Sequence, residues 1–396
     1  EFWVTSAAEE SFHEPGSGAP SARQIRMSEP AVVALLYLGC FLVAVMLSAA
    51  LVQMTGGSAT KVFGALLDGS FRAKGRWGQT LGIAVPLVLV GLGTVISGRA
   101  GLINIGQEGQ LYFGTAVACY VALRLGGPGS AEWTKGFPGP LVLLACLVGG
   151  SVGGAFWAGI AGVLRYRRKV PEVLTTLLLV TVASQVVGYA LRVEWLLMAP
   201  RDGKSTAWRN ISAAQLPPDR RMPQIELFGN EFPISVLIVV GAVVAVAFVL
   251  SRSVWGFRLR VLGQNSRTAH RAGVAESRYG MAAILLSGGF AGLAGAMMLT
   301  GGDFGNYHLT PGFSVNIGFD GLLVALVARQ RPFIVLPTAL VFAGLRTGSG
   351  FLAATGVERD ITKIVQALLV LALLIPPAIL FVRDRRRAMA ATMART

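Results

Sequence analysis

The chain has 396 residues, 53% of them hydrophobic and 14% charged, with a mean hydropathy of +0.61 and a formal net charge of +15. A soluble domain carries about 25% charged residues, so a soluble globular protein is excluded, and apolar stretches of roughly twenty residues point to repeated crossings of a bilayer. The basic residues lie in short loops between these stretches rather than on one soluble face, which argues for membrane topology and against nucleic-acid binding.

In chain order, residues 1–30 are polar and lack an apolar run, which predicts a disordered cytoplasmic tail and no signal peptide; Met27, just before the first apolar stretch, marks an alternative start. Spans are predicted over 31–53, 81–98, 101–124, 139–163, 171–191, 233–250, 280–300, 318–330, 333–346 and 361–382. The fold class is therefore all-α, a polytopic bundle of about ten membrane segments. The eighth and ninth are short for a crossing and read as broken or re-entrant helices packed against protein. The membrane domain runs over 31–382, with an outer loop at 192–232, an inner segment at 251–279 and a basic cytoplasmic tail at 383–396. With the mixed 192–232 loop set aside, the inner loops carry about twice as many Lys and Arg as the outer ones, which places both termini in the cytoplasm.

Glycines inside the spans, as in 149–154 and 288–295, predict close helix packing, since small residues let backbones approach in lipid. The stretch Gly101 to Gln110 differs. It sets Asn104, Gln107, Glu108 and Gln110 where an apolar helix begins, and Asn104 and Glu108 share a helix face four residues apart. Charge near a membrane core faces a cavity or a partner, so Glu108 either lines a path or pairs with an arginine such as Arg99. A second polar intrusion, Asn316 to Gly321, opens the short eighth segment; Asp320 there either caps a helix N-terminus or lines a broken-helix site. In the inner segment, Asn265 or Ser266 can cap a short helix that Gly273 ends, a candidate docking surface for a soluble partner.

Other chemistries lack their residues. Cys40, Cys119 and Cys146 stand singly in apolar stretches, and His13, His270 and His308 are scattered, so neither a disulfide framework nor a metal site is expected. Gly203-Lys204-Ser205 imitates a P-loop, but Met198 stands where its first glycine belongs. No catalytic grouping can be assigned, and the chain is expected to be no enzyme itself.

Taken together, Gly101 to Gln110, Arg260 to Asn265 followed by Ala272-Gly273-Val274, Leu286 to Gly295 and Gly318 to Leu326 resemble the permeases of bacterial ABC importers of the branched-chain amino acid and simple-sugar superfamily. Pro171-Glu172-Val173 and the long outer loop make the chain most similar to permease subunits of nucleoside importers. The resemblance implies a bacterial inner-membrane subunit that forms half of the translocation path beside a second, paralogous permease. It also implies a cytoplasmic ABC ATPase that binds ATP and Mg, an extracellular substrate-binding lipoprotein, and no cofactor on this chain. The substrate path would use Asn104, Gln107, Glu108, Gln110, Asn316 and Asp320. Coupling to the ATPase would use Gly263, Asn265, Arg267, His270, Arg271 and Gly273. Two departures bear on the substrate: Val327 to Pro332 replaces the family's leucine-glycine-arginine-like stretch, and Leu174 to Val180 lacks its methionine, asparagine and tyrosine. A simple-sugar permease is the nearest alternative, and an ion-coupled carrier in which Glu108 and Asp320 titrate is a further one.

Overall fold

The computed structural model describes residues 29–54, 58–125, 137–198, 211–227, 229–302, 305–314, 316–351 and part of 364–383. The predicted tails, 1–30 and 383–396, lie outside the described residues except at their inner ends. The described elements are α1 (Glu29–Met54), α2 (Ala59–Leu67), α3 (Arg76–Arg99), α4 (Gln107–Arg124), α5 (Gly139–Arg168), α6 (Glu172–Ala190), strands β1 (Gln224–Leu227) and β2 (Asn230–Pro233), α7 (Ser235–Arg252), α8 (Val254–Gln264), α9 (Ser266–Arg271), α10 (Glu276–Gly301), α11 (Ile317–Val327) and α12 (Pro332–Phe351). Among the described residues seven helices, α1, α3, α5, α6, α7, α10 and α12, are long and apolar enough to cross a membrane. The fold is an all-α polytopic membrane bundle.

Burial orders the bundle. α3 has 89% of its span window buried, against 17% for α1 and 22% for α6, so α3 is the central post and the latter two lie at the periphery. α10 crosses α5 through small residues: a Cβ on Gly292 would strike the Gly150 carbonyl, and one on Gly150 would come within 2.7 Å of the Ala296 Cβ. This is the close approach the glycine spacing predicts, and it matters in lipid because association there depends on packing rather than on apolar burial.

Two helices start inside the bundle. Gly101 takes a left-handed φ of 74°, and the chain runs without helix to Gly106, so α4 begins six residues later than the predicted span. Gln107, its first residue, donates to the Val90 carbonyl partway along α3 at 3.1 Å. Left-handed Asn316 (φ 66°) opens α11, whose eleven residues reach only about 16 Å. The N-termini of α4 and α11 thus meet at depth: a Cβ on Gly318 would strike the Glu108 backbone. The ninth segment, also expected to be short and broken, is instead α12, a 20-residue helix long enough to cross, whereas the expected short, broken eighth segment corresponds to α11. Its exit is a tight reversal, with Arg329 and Gln330 both left-handed, into α12.

Sequence reading missed α2 and the wider helical turn that continues it, Asp68–Arg72. Ser70 pins that turn by donating to the carbonyls of Leu66 at 2.6 Å and Gly344 at 2.5 Å, while Thr80 donates to the Ser70 carbonyl at 2.7 Å. The described part of the 192–232 loop is anchored rather than free: Met222 N–H donates to Thr300 at 2.8 Å, Ala213 N–H to Leu309 at 2.9 Å, and the Arg220 guanidinium to the Ala122 carbonyl.

Candidate functional site

The meeting point of α4 and α11 contains most of the polar residues singled out in the sequence, and it sorts them into three groups. Asn104, Gln107 and Gln110 form a buried knot. The side-chain amides of Asn104 and Gln110 bond each other twice, at 2.9 and 3.0 Å. Asn104 Nδ2 also donates to Ser287 Oγ at 3.0 Å, and its Oδ1 accepts from Gly106 N at 3.1 Å. Gln107 Nε2 donates to Ser287 Oγ at 3.1 Å, and Gln107 Oε1 accepts from Thr94 at 2.6 Å. Each amide therefore has partners within the bundle, as burial in a low-dielectric medium demands. These bonds tie the start of α4 to α3 and α10.

Glu108 forms the second group. Its carboxylate is buried and does not meet Arg99, which instead donates to the Gln330 carbonyl at 3.3 Å. It accepts from Ser314 Oγ at 2.5 Å, Asn316 N–H at 3.0 Å and Gly318 N–H at 2.6 Å. A carboxylate on orphan N–H groups of a helix start is favoured by the bonds and by the helix dipole together. Glu108 is thus the cap of α11, supplied by a different helix.

Asp320 stands in the first turn of α11 but caps nothing; its carboxylate accepts from Arg346 on α12 at 2.7 Å in a largely buried ion pair. Leaving either partner alone in the bundle is expensive, so the pair fixes α11 against α12.

Beside this junction lies a cavity of about 410 Å³ between α4, α6 and the 305–316 segment. Glu108 and Asn316 border it, together with Ser184, Gln185, Arg192 and Phe319. It follows α6 from Val180 to Gly188, about 12 Å by helical rise, and reaches Arg192 just past the helix end. Among the described residues the side-chain amides of Gln185 and Asn316 have no hydrogen-bond partner, which leaves them available to a ligand. Phe319 falls within the Gly318 to Leu326 motif, but Ser184, Gln185 and Arg192 carry no motif in the sequence; the one available signal for them was a serine and a glutamine in a mostly apolar span. Among the described residues no three His, Cys, Asp or Glu side chains come together as a metal site would require.

At the far end of the bundle, α9 is built as the cap-helix-glycine pattern predicts. Asn265 Oδ1 accepts from the N–H groups of Arg267 at 3.0 Å and Thr268 at 3.1 Å, and Gly273 ends the turn at φ 74°. Gly263 lies against the end of α3, where a Cβ would strike the Arg99 carbonyl. Ala269 and Val274 are buried beneath the helix, whereas Arg267, His270 and Arg271 are exposed. The helix is held from below and presents a basic face.

Residues 78–374 match the family described as branched-chain amino acid transport system / permease component. The chain is 34% identical over 300 residues to the glucose ABC transporter permease protein TsgB13 of Haloferax volcanii, covering 74% of each chain. It is 30% identical over 340 residues to the guanosine ABC transporter permease protein NupP of Bacillus subtilis, covering 85% of this chain and 92% of that one. It is 27% identical over 302 residues to the nucleoside ABC transporter permease protein NupB of Lactococcus lactis, covering 76% and 79%. With a family match that spans most of the bundle, both broken helices and α9, the chain belongs to the branched-chain amino acid transport system permease family and is a multi-pass ABC transporter permease.

Proposed function

We propose that this permease carries nucleosides into the cell, and that the cavity beside Glu108 lies on their path. The carrying observation is the cavity's composition. At about 410 Å³ it falls within the range of small-molecule sites, and its lining includes the Phe319 ring and two unengaged side-chain amides, those of Gln185 and Asn316. A nucleoside offers a flat aromatic base for stacking and neutral hydrogen-bonding edges for amides, so both halves of the wall have a use. The guanosine and nucleoside permeases among the relatives support this substrate class. The glucose permease, at 34% identity, keeps a simple sugar as the second reading, for which the amides would serve and the ring would matter less.

Energy would enter from a separate ATPase docked on α9, with ATP and Mg bound there. A second permease would complete the path, and a binding lipoprotein would deliver substrate to the side of β1 and β2. The arginine-rich side that bears α9 would be cytoplasmic by the positive-inside rule. The test is uptake of labelled nucleosides and of glucose and ribose by cells lacking the chain, with the chain restored. Restored nucleoside uptake alone supports the reading; restored sugar uptake alone replaces it.

A further inference from the structure

We infer that Arg99, Arg260 and Arg331 form a site for the phosphate headgroup of an anionic phospholipid. Three separate segments bring these residues to one place at the end of α3. Arg99 is the last residue of the span formed by α3, and Arg331 immediately precedes the span that begins at Pro332, so both stand at headgroup depth. The turn that carries Arg331 is held there by the 3.3 Å bond from Arg99 Nη2 to the Gln330 carbonyl. Arg260 arrives on α8, whose end is pressed against the end of α3 at Gly263, and its Nη2 donates to the Leu250 carbonyl at 3.1 Å, which leaves its other N–H groups for an anion.

The cluster is uncompensated. Arg260 and Arg331 act on Arg99 as like charges. Among the described residues no carboxylate pairs with any of the three, and Arg99 Nε is buried without a hydrogen-bond partner. Converging cations with a buried unmatched donor are costly unless an anion joins them, and phosphate oxygens accept forked guanidinium bonds. The neighbouring surface suits a lipid rather than a soluble anion. α8 exposes Val254 at 66% and Phe257 at 62%, and Phe257 lies three residues before Arg260 along the helix surface, so a chain can lie on the ring while the phosphate meets the arginine. Ordinary positive-inside charge accounts for arginines that stand apart, such as exposed Arg252, but not for three on adjoining segments with a buried unmatched donor among them. The site is independent of the transported substrate.

The test uses the whole transporter purified in mild detergent, with retained phospholipid measured by native mass spectrometry and thermal stability measured with added lipid. Phosphatidylglycerol should be retained and should raise the melting temperature, while phosphatidylcholine of the same chains should not. In the double variant Arg260→Gln/Arg331→Gln, both positions being exposed, retention should fall at least tenfold, at roughly fivefold per arginine; Arg252→Gln should leave it unchanged. Equal stabilisation by phosphatidylcholine overturns the proposal, as does undiminished retention in the double variant or an equal loss in Arg252→Gln. An equal shift from glycerol phosphate or inorganic phosphate would assign the cluster to a free anion instead. Loss of the ATPase from the double variant with lipid retention intact would assign it to a protein contact.

Discussion

Replacing Glu108 by glutamine is the perturbation that most directly probes the junction of the two broken helices. Glutamine keeps the shape but exchanges one acceptor oxygen for an amide donor. With its oxygen toward Ser314 and Asn316, it retains those two bonds in neutral form, each weaker by about 1 kcal/mol, and turns N–H groups toward the Gly318 N–H, losing a charge-assisted bond of about 2 kcal/mol. The expected loss is therefore about 4 kcal/mol before relaxation, concentrated at the start of α11. Thermal unfolding of the purified transporter, followed by protease susceptibility around residues 305–320, should show a lower melting temperature and earlier cleavage there. An unchanged melting temperature with abolished transport would refute this reasoning, because it would mean that Glu108 acts on the substrate and not on the helix.

Three further substitutions follow from the packing. Gly292→Val drives a side chain into the Gly150 carbonyl and should abolish accumulation of folded protein in the membrane, while Gly241→Ala, on α7 with open space at its Cβ, should leave expression unchanged. Arg346→Ala strands Asp320 between α11 and α12; with both side chains largely buried, about 2–3 kcal/mol should be lost, and Asp320→Asn in the same chain should recover part of it in a double-mutant cycle. Arg267→Glu/Arg271→Glu changes an exposed face, so melting should shift by less than about 0.5 kcal/mol equivalent while uptake and co-purification of the ATPase are lost; normal uptake would sink α9 as the docking element.

Much of this architecture was legible in the sequence because its signals are local. Apolar runs mark the long spans, and the end of each of α3, α5, α6, α7 and α10 falls within a few residues of the predicted one. Asn265 and Gly273 announce α9 because a cap and a left-handed terminator act within one turn. α2 and Asp68–Arg72 were missed because Lys61, Asp68 and Arg72 break the apolar run, while tertiary bonds from Ser70 and Thr80 hold the turn. The start of α4 was placed too early because Leu102 to Gly106 are compatible with helix but are held out of it by Asn104 and its partners. The partners of Glu108 lie more than 200 residues away, beyond any periodicity, so of the two readings left open for it the pairing with Arg99 does not form. The α6 wall of the cavity was invisible for the same reason: Ser184 and Gln185 become a polar wall only when α6 lies beside α4 and the 305–316 segment.

The central claim is tested most directly by reconstituting the complete transporter in proteoliposomes and measuring ATP-dependent uptake of labelled guanosine, other nucleosides and glucose with wild-type chain and with Asn316→Ala, Gln185→Ala and Phe319→Ala. Nucleoside uptake by the wild type, reduced at least tenfold in each variant while the melting temperature holds, is the predicted result. Glucose as the only transported solute, or nucleoside uptake indifferent to all three substitutions, would contradict it.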